Sequence, residues 1–208
     1  MSGSIASSDN FYVVFLGSAV GTINPASGSV GISQLSATGT KDATTFLRGD
    51  NSFAEAGGGI FETQLLHVVD EKSNNTAPQS GTGGQQNVRE LNTVKTNEIT
   101  GASLGSNQIT LPSGTFYAEA EANAYNVNRH KLSLYNTTDS SYTLIGSSAN
   151  SNTSSYTTSP TFVSGRFTIG SQKVYELRHY IQQNTGMGAS TNTGLVEVYA
   201  SIRIWKVS

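Results

Sequence analysis

The stretch TFYAEAEANAY (115–125) changes character at every residue. Phe116, Ala118, Ala120, Ala122 and Ala124 fall on one side of a period of two, and Tyr117, Glu119, Glu121, Asn123 and Tyr125 on the other. A helix would scatter both sets around its circumference, so the segment is a long strand with one apolar face. The closing stretch LVEVYASIRIWKV (195–207) repeats the pattern, with Val196, Val198, Ala200, Ile202 and Ile204 opposite Leu195, Glu197, Tyr199, Ser201, Arg203 and Trp205. Between and before these lie IFETQLLHVVD (60–70), QNVRELNTVKTNEI (86–99), SNQITL (106–111), RHKLSLY (129–135), YTLIG (142–146), TFVSGRFTI (161–169) and KVYELRHYIQ (173–182). About nine strands separated by turn residues, with no helical period, predict an all-β antiparallel sandwich, and specifically a jelly roll.

Composition supports this class and removes others. Charged residues are 12% of the 208, about half the usual share, and Ser, Thr, Asn and Gly take their place. The net charge is −2, and Lys and Arg are scattered singly, which leaves no footprint for nucleic acid. No apolar run approaches the roughly 20 residues of a membrane span, so no membrane insertion is expected. The opening MSGSIASSDN lacks the charged and apolar regions of a signal peptide, so synthesis in a reducing cytoplasm is expected. There is no cysteine, hence neither disulfides nor thiolate metal sites.

Residues 1–59 differ from the rest. Apart from NFYVVFLG (10–17) and TTFL (44–47) they hold few large apolar side chains, and they cannot bury a core alone. AEAGGG (54–59) reads as a hinge. The expected organisation is an extended N-terminal arm and stalk, 1–59, ordered by symmetry copies or a partner, and a jelly-roll head, 60–208. Arg48-Gly49-Asp50 matches a cell-adhesion tripeptide, but a glycine between opposite charges, inside a thin linker, is read as a turn with an ion pair within or between subunits.

LPSGTFYAEA (111–120), a turn followed by an aromatic strand, resembles the signature of complement globular-head and tumour-necrosis-factor-like jelly rolls, and RELNTV (89–94), RHKLSLY and VEVYASIRIWKV fall where that family has strands. LNTVKTNEITGASLGSNQITLPSGTFYAEA and VNRHKLSLYN are similar to tail-fibre and appendage proteins of tailed bacteriophages, especially those of marine and cyanobacterial hosts. FYVVFLGSAVGTINPASGSV and QLSATGTKDATTFLRGDNSF resemble linker modules upstream in such fibres, where the second often ends in Trp rather than Phe53. The resemblance implies a homotrimer on a thin stalk. It implies a virion fibre docked to other virion proteins of the tail through residues 1–59, with Phe11, Tyr12, Val13, Val14, Phe15 and Leu16 as docking candidates, and a head that binds a host-surface receptor, a carbohydrate. The alternative is a capsid decoration or head-fibre protein held to the shell by the same arm.

Ala118, Ala120, Ala122 and Ala124 are trimer-packing candidates, because a sandwich core normally wants bulkier side chains and close approach of a neighbouring sheet or subunit would explain small ones. A thin spot in the chain's own core is the alternative. If the last strand pairs antiparallel with the first, loops 126–128, 147–159 and 183–194 lie far from the stalk, with 71–85 joining them. Asn150, Asn152, Ser155, Tyr156, Asn184, Met187 and Asn192 are then receptor-contact candidates, suited to hydrogen bonding and stacking on sugars. Glu119 and Glu121 share a face as a catalytic pair would, but read better as surface charges meeting Arg129, Arg178 or Arg203. His67, His130 and His179 show no ligand spacing, and no nucleophile, phosphate or metal motif occurs. No enzyme activity, cofactor or metal is expected.

Overall fold

The computed structural model describes residues 27–28, 31–55, 64–154, 157–184 and 186–207. The chain divides into two units, Met1–Gly57 and Gly58–Ser208.

In the first unit one turn of 3-10 helix, Ile32–Gln34, precedes a small hairpin of β1 (Thr45–Leu47) and β2 (Phe53–Glu55). Arg48, Gly49 and Asp50 form its exposed turn. The Arg48 amide donates to the Ser52 carbonyl at 2.8 Å, and Asn51 takes a left-handed φ of 60°. Within the single chain a local cap, and not an Arg48–Asp50 salt bridge, closes the turn. Asp50 Oδ1 accepts from the Ser52 hydroxyl at 2.6 Å and its amide at 3.1 Å, because a short carboxylate reaches two residues ahead more easily than across a glycine. Phe46 and Leu47 stay exposed.

The second unit contains β3 (Leu65–Lys72), β4 (Gln85–Val88), β5 (Thr93–Asn97), β6 (Ser103–Gly105), β7 (Gln108–Leu111), β8 (Gly114–Tyr125), β9 (Asn128–Asn136), β10 (Ser141–Ser151), β11 (Thr158–Ile169), β12 (Lys173–Ile181) and β13 (Glu197–Lys206). Sheet I runs β11-β8-β13-β3-β5 and sheet II runs β10-β9-β12-β7-β6, with β4 also on the β12 edge. Every pairing is antiparallel. From β7 onward the chain crosses between sheets at almost every connection, and its first and last strands lie side by side at the middle of sheet I. That strand order is a jelly roll. Leu66, Val68, Phe116, Ile202 and Ile204 from sheet I and Ile109, Leu132, Leu134, Tyr175 and Leu177 from sheet II fill the interior, each burial contributing about 1.5–3 kcal/mol.

The alanine face of β8 belongs to this interior. Ala118, Ala120, Ala122 and Ala124 are 2, 6, 2 and 0% exposed within a single chain, so they cannot be the trimer contact the sequence suggested. The bulky Leu and Tyr side chains of sheet II supply the volume, and small residues opposite them let the sheets close. Closure is tightest at the seam between β10 and β11. A β-carbon on Gly146 would lie 2.2 Å from the Phe162 carbonyl oxygen and 2.7 Å from that of Leu132. Two bulges in β10, between Tyr142 and Leu144 and between Ile145 and Ser148, bend the strand there.

Three elements depart from the expected pattern. Segment 86–99 is two strands, not one: β4 joins β12 in sheet II and β5 joins β3 in sheet I, because buried Arg89 and Leu91 carry the chain across the interior. Residues 147–151 continue β10. A bulge between Val198 and Ala200 flips the start of β13, leaving Val196 and Val198 exposed and Glu197 and Tyr199 buried, the reverse of strict alternation.

Candidate functional site: the loops at the far end

Register sorts the loops. Trp205 pairs with Leu65 and Glu197 with Lys72, so the described parts of the connections after β3, β8, β10 and β12 (73–84, 126–127, 152–154, 157, 182–184 and 186–196) gather at the end away from the start of β3. Asn150 and Asn152 are exposed there, the first in β10 itself, with its side-chain amide donating to Asn128 Oδ1 at 3.0 Å. Asn152 Oδ1 accepts from the Ser154 amide at 2.7 Å. Asn184 is exposed and accepts from the Gly83 amide. Asn192 is exposed with φ of 49°. Ser155 and Tyr156, like Phe11, Tyr12, Val13, Val14, Phe15 and Leu16, lie outside the described residues.

Met187 is a correction. Its side chain is fully buried and lies 3.1 Å from where a β-carbon on Gly81 would stand. A flexible thioether fills the irregular space under loop 73–84 instead of facing a receptor.

Two residues that the sequence did not single out build this end. Glu197, turned inward by the bulge, accepts from the amides of Thr191 at 2.9 Å, Asn192 at 3.0 Å and Asn75 at 3.4 Å, and from the Thr191 hydroxyl at 3.1 Å. The Asn192 amide, followed by those donors from Thr191, holds its carboxyl below the usual range. One carboxylate therefore ties loop 189–196 to loop 73–76. The Asn74 amide donates to Asn192 Oδ1 at 3.1 Å, Asn74 Oδ1 accepts from Gly194 at 2.9 Å, and the Tyr199 hydroxyl donates to Thr76 at 2.6 Å. No sequence signal marks Glu197, since alternation puts it on the polar side.

Arg89 is the second. Fully buried, it donates to the carbonyls of Tyr199 at 2.7 Å, Met187 at 2.9 Å and Asn123 at 3.3 Å. Burial lowers its pKa to about 10, against the opposing pull of Asp70 and Glu90. It supplies donors where the bulge in β13 disturbs the ladder. Beside it lie His130 and His179, whose Nδ1 and Nε2 are 3.0 Å apart, with His130 Nε2 3.3 Å from the Ser159 hydroxyl. Burial lowers His130 to about 4 and pushes His179 well below its ordinary value, with Arg89 and then His130 adding to the effect. Both rings are neutral, packed structural groups at pH 7.

The two outer faces differ. On sheet I, Glu119, Glu121, Phe162, Ser164 and Arg203 border a depression of about 300 Å³. Glu119 stands opposite Arg203 in register. Arg129 and Arg178 belong to sheet II and do not face these carboxylates. Arg178 instead pairs with Glu176 at 2.8 Å and covers the Tyr135 ring at 3.4 Å. Among the described residues no group of three His, Cys, Asp or Glu side chains is placed to hold a metal ion, and no helix is long and apolar enough to cross a membrane.

A scan against family models and a search of curated protein sequences each return no match. Among solved structures, murine APRIL at pH 5.0 aligns with a TM-score of 0.46 and 8% identity over 68% of this chain and 97% of that one. The globular domain of zebrafish complement 1qA aligns with a TM-score of 0.43 and 12% identity over 71% of this chain and 98% of that one. The assignment of the fold rests on the strand order.

Proposed function

We propose that the chain is a binding protein of a virus particle, a trimeric tail fibre whose far-end loops contact a carbohydrate receptor on the host surface while residues 1–59 attach it to the particle. The observation that carries the reading is the polar tip: exposed Asn184 and Asn192 project from a connection that Glu197, Asn74 and Arg89 tie to loop 73–76 and to the sheets, and exposed Asn152 from one that Asn126 ties through Thr157. Such cross-ties lower the entropy lost when the loops meet a ligand. The resemblance of the N-terminal stretches to fibre linkers supports attachment to a tail.

Three copies meet through the outer face of sheet I. Phe162 and Val198 are 51 and 45% exposed on a face that also carries the Tyr117–Trp205 ring pair, and Glu119 and Glu121 lie beside Arg166 and Arg203, so that the carboxylates of one copy can meet the guanidinium groups of the next head to tail around a threefold axis. Full-length chain added to host cells before the particle should compete for adsorption, and a variant with Asn152→Ala and Asn192→Ala should compete poorly. Absence of any cell binding, together with labelling of this chain on the shell in electron micrographs, would replace the reading with capsid decoration.

A further inference from the structure

The outer face of sheet II carries side chains that neither the tip nor the contact between copies uses. Tyr135 of β9 meets Tyr142 of β10 edge to face, with centroids 5.1 Å apart. Arg178 of β12 lies over the other side of this pair, on the Tyr135 ring, held by Glu176, which also accepts from Gln108 at 2.9 Å. Next along the sheet, Gln86, Lys131, Ser133, Tyr142 and Ile145 border a shallow depression of about 150 Å³. Tyr142 and Ile145 are 45 and 66% exposed, presented outward on either side of the first bulge in β10. Bulges commonly re-aim side chains at binding sites.

We infer that this face is a second carbohydrate site, one that takes a segment of anionic polysaccharide, carboxylated or sulfated, lying across β10, β9, β12 and β4. Charge decides the class. Arg129, Lys131 and Arg178 stand on this face with Glu176 as the one carboxylate among them in the described strands, and it is spent on Arg178. Among the described residues no carboxylate pairs with Arg129 or Lys131. The chain as a whole carries −2, so this face is a local excess of positive charge on a mildly acidic protein.

Shape decides the form. A depression of this size is below the 300–1,000 Å³ typical of sites that enclose a small ligand, so the ligand lies on the sheet as an extended chain. The exposed edge of Tyr142 and the methyls of Ile145 meet the apolar face of a sugar ring, while the Gln86 amide and the Lys131 ammonium reach its hydroxyls and carboxylate. The Tyr135 stack fixes Arg178 in advance, so little side-chain entropy is lost on binding.

The inference rests on the carbohydrate-receptor reading for its ligand class, and its test uses a different probe from the cell competition. Full-length chain is titrated with polygalacturonate, dextran sulfate and uncharged dextran at low and moderate salt, each variant being checked for an unchanged β-sheet circular dichroism spectrum. The two polyanions should bind and dextran should not. Arg129→Glu with Lys131→Glu should weaken binding at least about tenfold and flatten its salt dependence. Should that pair fail to fold, Arg129→Gln with Lys131→Gln carries the same expectation. Tyr142→Ala should weaken binding about fivefold with the salt dependence kept, and the tip variant with Asn152→Ala and Asn192→Ala should bind polygalacturonate as the parent does. The inference is overturned by failure of both polyanions to bind, by an unaltered Tyr142→Ala, which would mean bare charge attraction, by loss of binding in the tip variant, or by dissociation of the oligomer in the sheet II variants, which would make this face a contact between copies. Competition for cells by the parent chain in those cases leaves the tip reading standing.

Discussion

The two sheets obey the same rule on the inside and opposite rules on the outside. Both send alternate residues inward, and the interior is continuous from Leu66 and Ile202 on one side to Leu134 and Leu177 on the other. Outward, sheet I presents Phe162 and Val198 among mixed charges, a surface suited to another copy of itself. Sheet II presents tyrosines, amides and unpaired basic groups, a surface suited to a flexible polyanion. Inward residues are constrained by volume and outward residues by what they meet, so one strand can serve both ends separately.

The seam that joins the faces should be the most sensitive point. Gly146→Ala places a β-carbon against two backbone carbonyls that cannot move aside, and should cost about 3 kcal/mol or more of unfolding free energy in urea titration. A loss under about 1 kcal/mol would mean that β10 and β11 are not held this close. Along β8 the sides should separate cleanly. Compared in the single-copy Phe162→Glu background, Ala120→Leu overpacks the interior and should cost about 1–3 kcal/mol, whereas Glu121→Gln, one residue away and exposed in the single chain, should stay within about 0.5 kcal/mol. Equal effects at the two positions would erase the distinction between faces.

Acid should produce a graded loss. His130 and His179 are buried and neutral, with folded pKa values below the ordinary 6.5, His130 at about 4. Below pH 6.5 the unfolded chain takes up protons that the folded chain refuses, so stability falls from pH 6.5 down to about 4. Asp70, whose carboxyl burial raises, acts in the opposite sense as the acid range is entered. The denaturation midpoint should drop across this window and drop less in His130→Gln. A flat profile in the parent chain would show that the pair is open to water.

Much of the fold was legible because period two is hard to imitate. The run from Thr115 to Tyr125 and the segments after it, apart from the longer β10, appear as strands close to their expected limits, and pairing the first strand with the last sorted the loops by end. What alternation could not reveal is where it breaks. The bulge at Val198 exchanged Glu197 and Tyr199 for two valines, and so hid the carboxylate that organises the tip. Arg89 was invisible for a related reason: a charged residue in a loosely alternating stretch looks exposed unless carbonyls from other strands are known to meet it. The alanines were read correctly as closely packed but assigned to the wrong neighbour, since sequence does not say whether the bulk opposite comes from the same chain or another. Ser106 and Asn107, both with positive φ, make the tight turn that splits off β6, a hairpin the apolar pattern was too short to show.

Sedimentation equilibrium on three full-length proteins tests the central claim that the two outer faces have different partners. The account predicts three copies for the parent chain, a single copy for Phe162→Glu on sheet I, and three copies for Tyr142→Glu on sheet II. A parent chain that sediments as one copy, or dissociation by Tyr142→Glu with Phe162→Glu still assembled, would contradict it.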